Sequence, residues 1–206
     1  KTQTPPLSLL QALKIKGVKQ VLLAFFAYCS LETTTGLWAS SYLVEFRGIN
    51  PEIAAEFASL FFLGITFGRF LCGFIADKIG DKLLIRWGIV IILFGSVLVA
   101  VPGMSGITAL AGLVIIGLGC APVYPSIIHS TPANFGQDNS QAIIGIQMAS
   151  AYTGSTFMPP LFGLIADTIS IGLYPVYLIL FTILMIAMTE KLNRITASKK
   201  TMADEA

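Results

Sequence analysis

The chain has 206 residues, of which 55% are hydrophobic and only 12% charged, and its mean hydropathy is +0.80. A soluble domain carries roughly 25% charged residues, so half the charge needed to coat a water-facing surface is missing, which excludes a cytosolic globule, a nucleic-acid binder and a disordered chain. The net charge of +2, from 13 Lys and Arg against 11 Asp and Glu, draws no anionic partner. Cys29, Cys72 and Cys120 lie in apolar runs, and no Cys/His spacing resembles a metal site, so neither a disulfide framework, a metal nor a cofactor is expected. With Lys1 rather than methionine first, the chain reads as a piece of a longer protein. Its polar, cationic start does not resemble a cleavable signal.

Residues 1–17 read as a cytoplasmic or interfacial segment. Apolar residues at near-helical spacing beside Lys14 and Lys16 suit either a short helix in the membrane interface or a linker. A helix crossing hydrocarbon needs roughly 20 mostly apolar residues. Six segments within 18–190 approach this: Val18–Val44, Ala54–Ala76, Leu83–Val101, Ile107–Ile128, Asn139–Ala166 and the shorter Tyr174–Thr189. Breakers separate them, among them Gly48–Pro51, Pro102–Gly106 and His129–Asp138. Ile89 to Phe94 is continuously apolar, whereas a barrel strand would alternate. The fold class is therefore an all-α integral membrane bundle of six transmembrane helices. Residues 191–206 form a tail expected to be solvated and disordered from Asn193 onward.

Cation placement orients the bundle. An inside amino terminus puts Lys1, Lys14, Lys16, Lys19, Lys78, Lys82, Arg86, Lys191, Arg194, Lys199 and Lys200 on the cytoplasmic side. Arg47 alone falls outside and Arg69 lies within a span. Both termini are expected in the cytoplasm of a multi-pass cell (inner) membrane protein.

An offset of 90 residues exposes an internal repeat. Gly64–Ile79 aligns with Gly154–Ile169 at nine of sixteen identical positions, including Gly73/Gly163 and Asp77/Asp167. The copies end spans two and five. Three spans separate them, so the halves, about 18–101 and 107–189, run in opposite directions as a three-plus-three inverted repeat, a pattern of secondary transporters. Polar residues follow the same rhythm. Spans one, two, four and five carry Glu32, Arg69, Tyr124 and Gln147 and should line an interior, while spans three and six are nearly free of polar groups and should face lipid.

Glu32 is the only acid deep in a span, about 20 Å from the Lys19 end, and Arg69 lies about 12 Å above Asp77, at 1.5 Å per residue. The difference in depth makes Tyr152 the easier partner for Glu32. A buried carboxyl that takes up and releases a proton would serve as a coupling acid; a static brace on Arg69 is the alternative. Tyr42 reads as an interfacial belt aromatic, and His129 as a loop-end residue.

The segment Gly73-Phe-Ile-Ala-Asp77-Lys78-Ile-Gly80-Asp81-Lys82 resembles the loop signature of the major facilitator superfamily, with Asp81 where that family usually carries a basic residue. Trp38 to Glu45, Phe61 to Arg69 and Gly117 to Ser126 resemble its fucose-permease-like branch, specifically the carboxy-terminal six-helix half. The resemblance implies a conformational latch at Arg69, Asp77, Lys78, Gly80 and Lys82. It also implies a secondary active transporter, carrying a sugar or similar small polar solute by proton symport; Glu32, from its depth in the span, is the candidate coupling acid. Tyr28, Trp38, Tyr124, Gln147 and Tyr152 suit stacking on and hydrogen bonding to that solute. The expected partners are the lipid bilayer, the solute, and the missing amino-terminal half or a second copy. Another substrate class, or a stand-alone six-helix homodimer, remains an alternative. An intramembrane hydrolase fits poorly, because Ser126 and His129 share one helix end without a Gly-x-Ser-x-Gly elbow.

Overall fold

The computed structural model describes residues 9–102 and 106–204, and within them every regular element is helical. The first eight residues of the interfacial segment, the middle of the Pro102–Gly106 breaker and the last two residues of the tail lie outside the described residues. In chain order the α-helices are α1 (Leu9–Lys14), α2 (Val18–Ser41), α3 (Pro51–Ile79), α4 (Asp81–Ala100), α5 (Ile107–His129), α6 (Thr131–Phe135), α7 (Gln137–Thr168) and α8 (Tyr174–Asp204). A π-helical turn, Tyr42–Phe46, continues α2, so Val18–Phe46 forms one 29-residue rod.

Among the described residues, five helices are long and apolar enough to cross a membrane: Val18–Phe46, α3, α4, α5 and Ile171–Ser198. Helix α7 has 32 residues, ample length for a span, but it carries Gln137, Asp138, Asn139, Gln141, Gln147 and a run of hydroxyls, and it does not meet the apolar criterion. Two further expectations need correction. The chain from Asn193 continues α8 to Asp204, because Asn193-Arg-Ile-Thr-Ala-Ser-Lys-Lys contains no helix breaker and several good helix formers. The stretch between spans four and five contains a helix, α6, started by Pro132 in its first turn.

Glycine sets the packing. In α4 and α5, Gly88 and Gly95 face Gly112 and Gly119. A Cβ at Gly119 would sit 2.7 Å from the Ile92 nitrogen and 2.8 Å from the Gly88 carbonyl oxygen, and one at Gly112 would sit 2.6 Å from the Gly95 carbonyl oxygen. The backbones approach as closely as small-residue membrane interfaces allow. Helix α3 meets α5 the same way, Gly64 lying against the Val114 carbonyl and Gly117 against that of Phe61. On the other side, α7 presents Gly154 to the Phe26 carbonyl and the Ser30 hydroxyl of α2. Helix α2 thus packs on α7 and α8, α5 on α3 and α4, and α4 meets α8. The expected sorting of polar and apolar spans is only partly followed: α3 is the least buried of the five apolar helices, exposing Leu63, Phe67, Phe70 and Phe74 along one side.

The helix ends are satisfied locally. Asn50 accepts a hydrogen bond from the Glu52 amide at 2.8 Å and caps α3, with Pro51 at the first helical position. Gly80, at φ +80°, ends α3 and begins α4 in a conformation that favours glycine. At the opposite end of α4, Arg47 Nη2 donates to the Val99 oxygen at 3.1 Å and also to that of Val101, so a cation covers the negative end of the helix dipole. Tyr42 is no belt aromatic. It is 1% exposed, and its hydroxyl donates to the same Val99 oxygen at 3.0 Å.

Gly119→Ala should lower the stability of the full-length protein in detergent by about 1–3 kcal/mol, and trimming Ile92 to Ala should not restore it, since the obstacles are backbone atoms. Gly36→Ala meets only the tip of the exposed Phe62 ring and should stay within about 0.5 kcal/mol of the parent. Thermal melting of the three variants checks both statements.

Candidate functional site

The charges of spans one and two come together. Arg69 Nη2 lies 4.0 Å from Glu32 Oε1, with side-chain exposures of 47% and 26%. The depth difference read from the sequence is bridged because Gly64 and Gly68 let α3 cross tightly onto α5, Gly68 facing the Ala121 methyl, and Arg69 leaves the helix next to that contact. Arg69 also stands 5.9 Å from the Tyr124 ring centroid. Tyr124 packs against Phe25 at 4.9 Å and Tyr28 at 6.2 Å, and its hydroxyl approaches the Met148 sulfur at 3.3 Å. Arg69, not Tyr152, is therefore the ionic partner of Glu32. Tyr152, on α7, is 70% exposed.

Two of the expected solute-binding donors are committed to other atoms, and a third residue, Gln147, is buried. Pro122 and Pro125 remove backbone donors from α5, and in that stretch the buried Tyr28 hydroxyl donates to the Cys120 carbonyl at 3.0 Å. Pro159 and Pro160 do the same in α7, where Trp38 Nε1 donates to the Pro159 carbonyl at 3.0 Å and the Tyr177 hydroxyl to that of Met158 at 2.8 Å. Gln147 is fully buried, its Oε1 accepting from the Thr131 hydroxyl at 3.1 Å, while its Nε2 has no hydrogen-bond partner among the described residues. Tyr28 and Gln147 thus lie buried in the wall and the half-buried Trp38 is tied to it, while Glu32, Arg69, Tyr124 and Tyr152 keep accessible surface.

Of the residues expected to form a latch, Arg69, Asp77 and Gly80 border a separate space. A cavity of about 630 Å³ lies between α3, α4 and α5, with Arg69 and Tyr124 at its inner end, Cys72 and Ala76 along its side, and Asp77, Gly80, Asp81 and His129 at the end that carries the α3–α4 turn. His129 Nδ1 lies 2.8 Å from Asp81 Oδ2, a link between the start of α4 and the end of α5. Neither partner was expected to pair. The visible signal was Asp81 itself, an acid in a cationic position of the loop signature, but its partner is distant in sequence. Nearby, Arg86 holds Glu190 through two hydrogen bonds of 2.5 and 2.6 Å, and Lys82 Nζ lies 3.4 Å from the Thr196 hydroxyl. Both ties bind α4 to the helical tail. A carboxylate–guanidinium fork of this kind orients the two helix ends more than it stabilises them, because the pair is solvent-exposed.

Tyr28→Phe should cost about 0.5–1.5 kcal/mol of stability by removing a buried interhelical hydrogen bond, whereas Tyr152→Phe should change it by less than about 0.5 kcal/mol. Paired melting curves of the full-length protein separate wall from accessible surface.

Comparison with known proteins agrees with this architecture. Residues 21–199 match the family profile of the Major Facilitator Superfamily. Over 56 residues the chain is 38% identical to "Bypass of stop codon protein 6" of Saccharomyces cerevisiae, a match covering 27% of this chain and 11% of that protein. The fold superimposes on FucP, a Major Facilitator Superfamily transporter solved in the outward conformation, with a TM-score of 0.75 at 18% identity over 90% of this chain and 45% of that one. It also superimposes on a peptide transporter, POT, solved with sulfate, with a TM-score of 0.74 at 18% identity over 98% of this chain and 45% of that one. The chain thus spans about half the length of the transporters whose structures it matches. Its apolar helices are those of a multi-pass membrane protein, and it belongs to the Major Facilitator Superfamily, a family of membrane transporters rather than enzymes.

Proposed function

We propose that the chain is the carboxy-terminal half of a secondary active transporter that moves a sugar or similar small polar solute, with proton symport through Glu32. The observation that carries this reading is the Glu32–Arg69 pair, a partly exposed carboxylate and guanidinium beside an aromatic wall inside a bundle of apolar helices. Charges at such a position are costly and mark ion or solute pathways. Tyr124 and Tyr152 supply a ring face and hydroxyls for the solute, and Tyr28, Trp38 and Gln147 hold the wall behind them. The structural likeness to the E. coli fucose:proton symporter FucP supports the solute class and the coupling ion as the first to test.

In this reading all six long helices, α7 included, span the membrane as an inverted repeat with both termini cytoplasmic. The packing supports it. Exchanging α2 with α5, α3 with α7 and α4 with α8 maps the α3–α5 contact onto α7–α2, and Gly64 and Gly154, 90 residues apart, make the equivalent close approaches. The exposed stripe Leu63, Phe67, Phe70 and Phe74 on α3 has its counterpart on α7, where Phe157 and Leu164 are each 63% exposed. These apolar faces flank the Glu32–Arg69 side and fit an amino-terminal half or a second copy, with Asp77, Lys78, Gly80 and Lys82 as the latch toward it.

In the full-length protein in proteoliposomes, Glu32→Gln should abolish proton-driven accumulation of the solute while leaving solute exchange measurable. Accumulation at the parental rate would refute the coupling role. Loss of folding, read by gel filtration, would make Glu32 a structural brace.

A further inference from the structure

We propose that the cavity between α3, α4 and α5 is a water-filled proton passage joining Glu32, by way of Arg69, to the turn end of the bundle, with the His129–Asp81 pair at its mouth. The proposal rests on the reading of Glu32 as coupling acid and adds the route by which its proton leaves.

Three observations place the route. The cavity holds about 630 Å³, and a water takes roughly 30 Å³ with two to four polar partners. Those partners are present along its length: the Arg69 guanidinium at the inner end, the Ser126 hydroxyl on α5, and Asp77, Asp81 and His129 at the rim. From Arg69 to Asp77 is eight residues of helix, about 12 Å at 1.5 Å per residue, so the space runs from beside Glu32 to the end of the helices. Finally, Arg69 both lines the cavity and stands 4.0 Å from Glu32, which puts the acid one side chain away from the water.

The groups around each terminus suit transfer. Facing Glu32 are Tyr28 and Cys29 from its own helix, Arg69 from α3, and Cys120 and Tyr124 from α5, and of these Arg69 supplies the formal positive charge. Facing His129 are Asp81 from α4 and Asp77 from α3. When the Glu32 O–H bond breaks, its proton forms a bond to a water bridging the 4.0 Å gap between Glu32 and Arg69 at the inner end of the cavity, and the carboxylate left behind is matched by Arg69, whose guanidinium stays protonated throughout. The chain of waters passes the charge outward and delivers a proton either to solvent or to the His129 ring nitrogen not engaged by Asp81. No oxidant or reductant is involved.

Cys72 offers a test that does not depend on a variant folding, since it is partly exposed on the cavity wall while Cys120 is buried. The folded full-length protein is treated with the charged thiol reagent MTSET and, separately, with a benzyl methanethiosulfonate. Protonation of Glu32 after a pH jump is then followed by its infrared carboxyl band, assigned by difference against Glu32→Gln. MTSET should label Cys72, and the benzyl adduct should slow the appearance of the band by at least about tenfold, with no effect in Cys72→Ser. No labelling of Cys72, or an unchanged rate with the adduct fully formed, overturns the passage while leaving Glu32 as coupling acid. A Glu32 band that does not change with pH overturns both.

Discussion

The structure depends on one constraint: a polar group among apolar helices must find its partner inside the protein. Lipid-facing hydrocarbon supplies none. Close glycine packing makes those partners reachable. Where Gly64 and Gly68 bring α3 against α5, Arg69 reaches Glu32 on α2. Where Gly154 brings α7 against α2, Ser150 donates to the Leu22 carbonyl at 3.0 Å and Trp38 to that of Pro159. The prolines in α5 and α7 then become points where Tyr and Trp donors anchor one helix to another.

The same constraint separates framework from site. A hydroxyl or indole N–H that donates to a carbonyl at 3.0 Å cannot donate to a solute as well, so Tyr28 and Trp38 belong to the framework in this state of the chain. Glu32, Arg69, Tyr124 and Tyr152 are left on the open side. At the turn end, the forked Arg86–Glu190 pair and the His129–Asp81 pair fix α4 to α8 and α5, which holds the α3–α4 turn in a defined frame.

Much of the fold was legible in sequence. The helical class follows from continuous apolar runs, the breakers locate the main turns, and the loop signature with its 90-residue echo points to the family that the profile match establishes. Other features were not legible, each for a physical reason. Tyr152 looked nearer to Glu32 because depth was counted along straight, parallel helices, and glycine-driven crossing cancels that estimate. Tyr42 looked interfacial because a π turn redirects it onto α4. The tail looked disordered because its charge suggested solvent, although its residues favour helix. Asp81 and His129 lie 48 positions apart, and only the α4–α5 packing brings them together.

The central claim, that Glu32 and Arg69 form one unit created by helix packing, is tested most directly by exchanging their charges. Glu32→Arg and Arg69→Glu each place like charges 4.0 Å apart in an apolar bundle and should each lower the yield of folded full-length protein. The double exchange restores opposite charges and should recover most of that yield. A double variant no better folded than the worse of the two single variants would contradict the account.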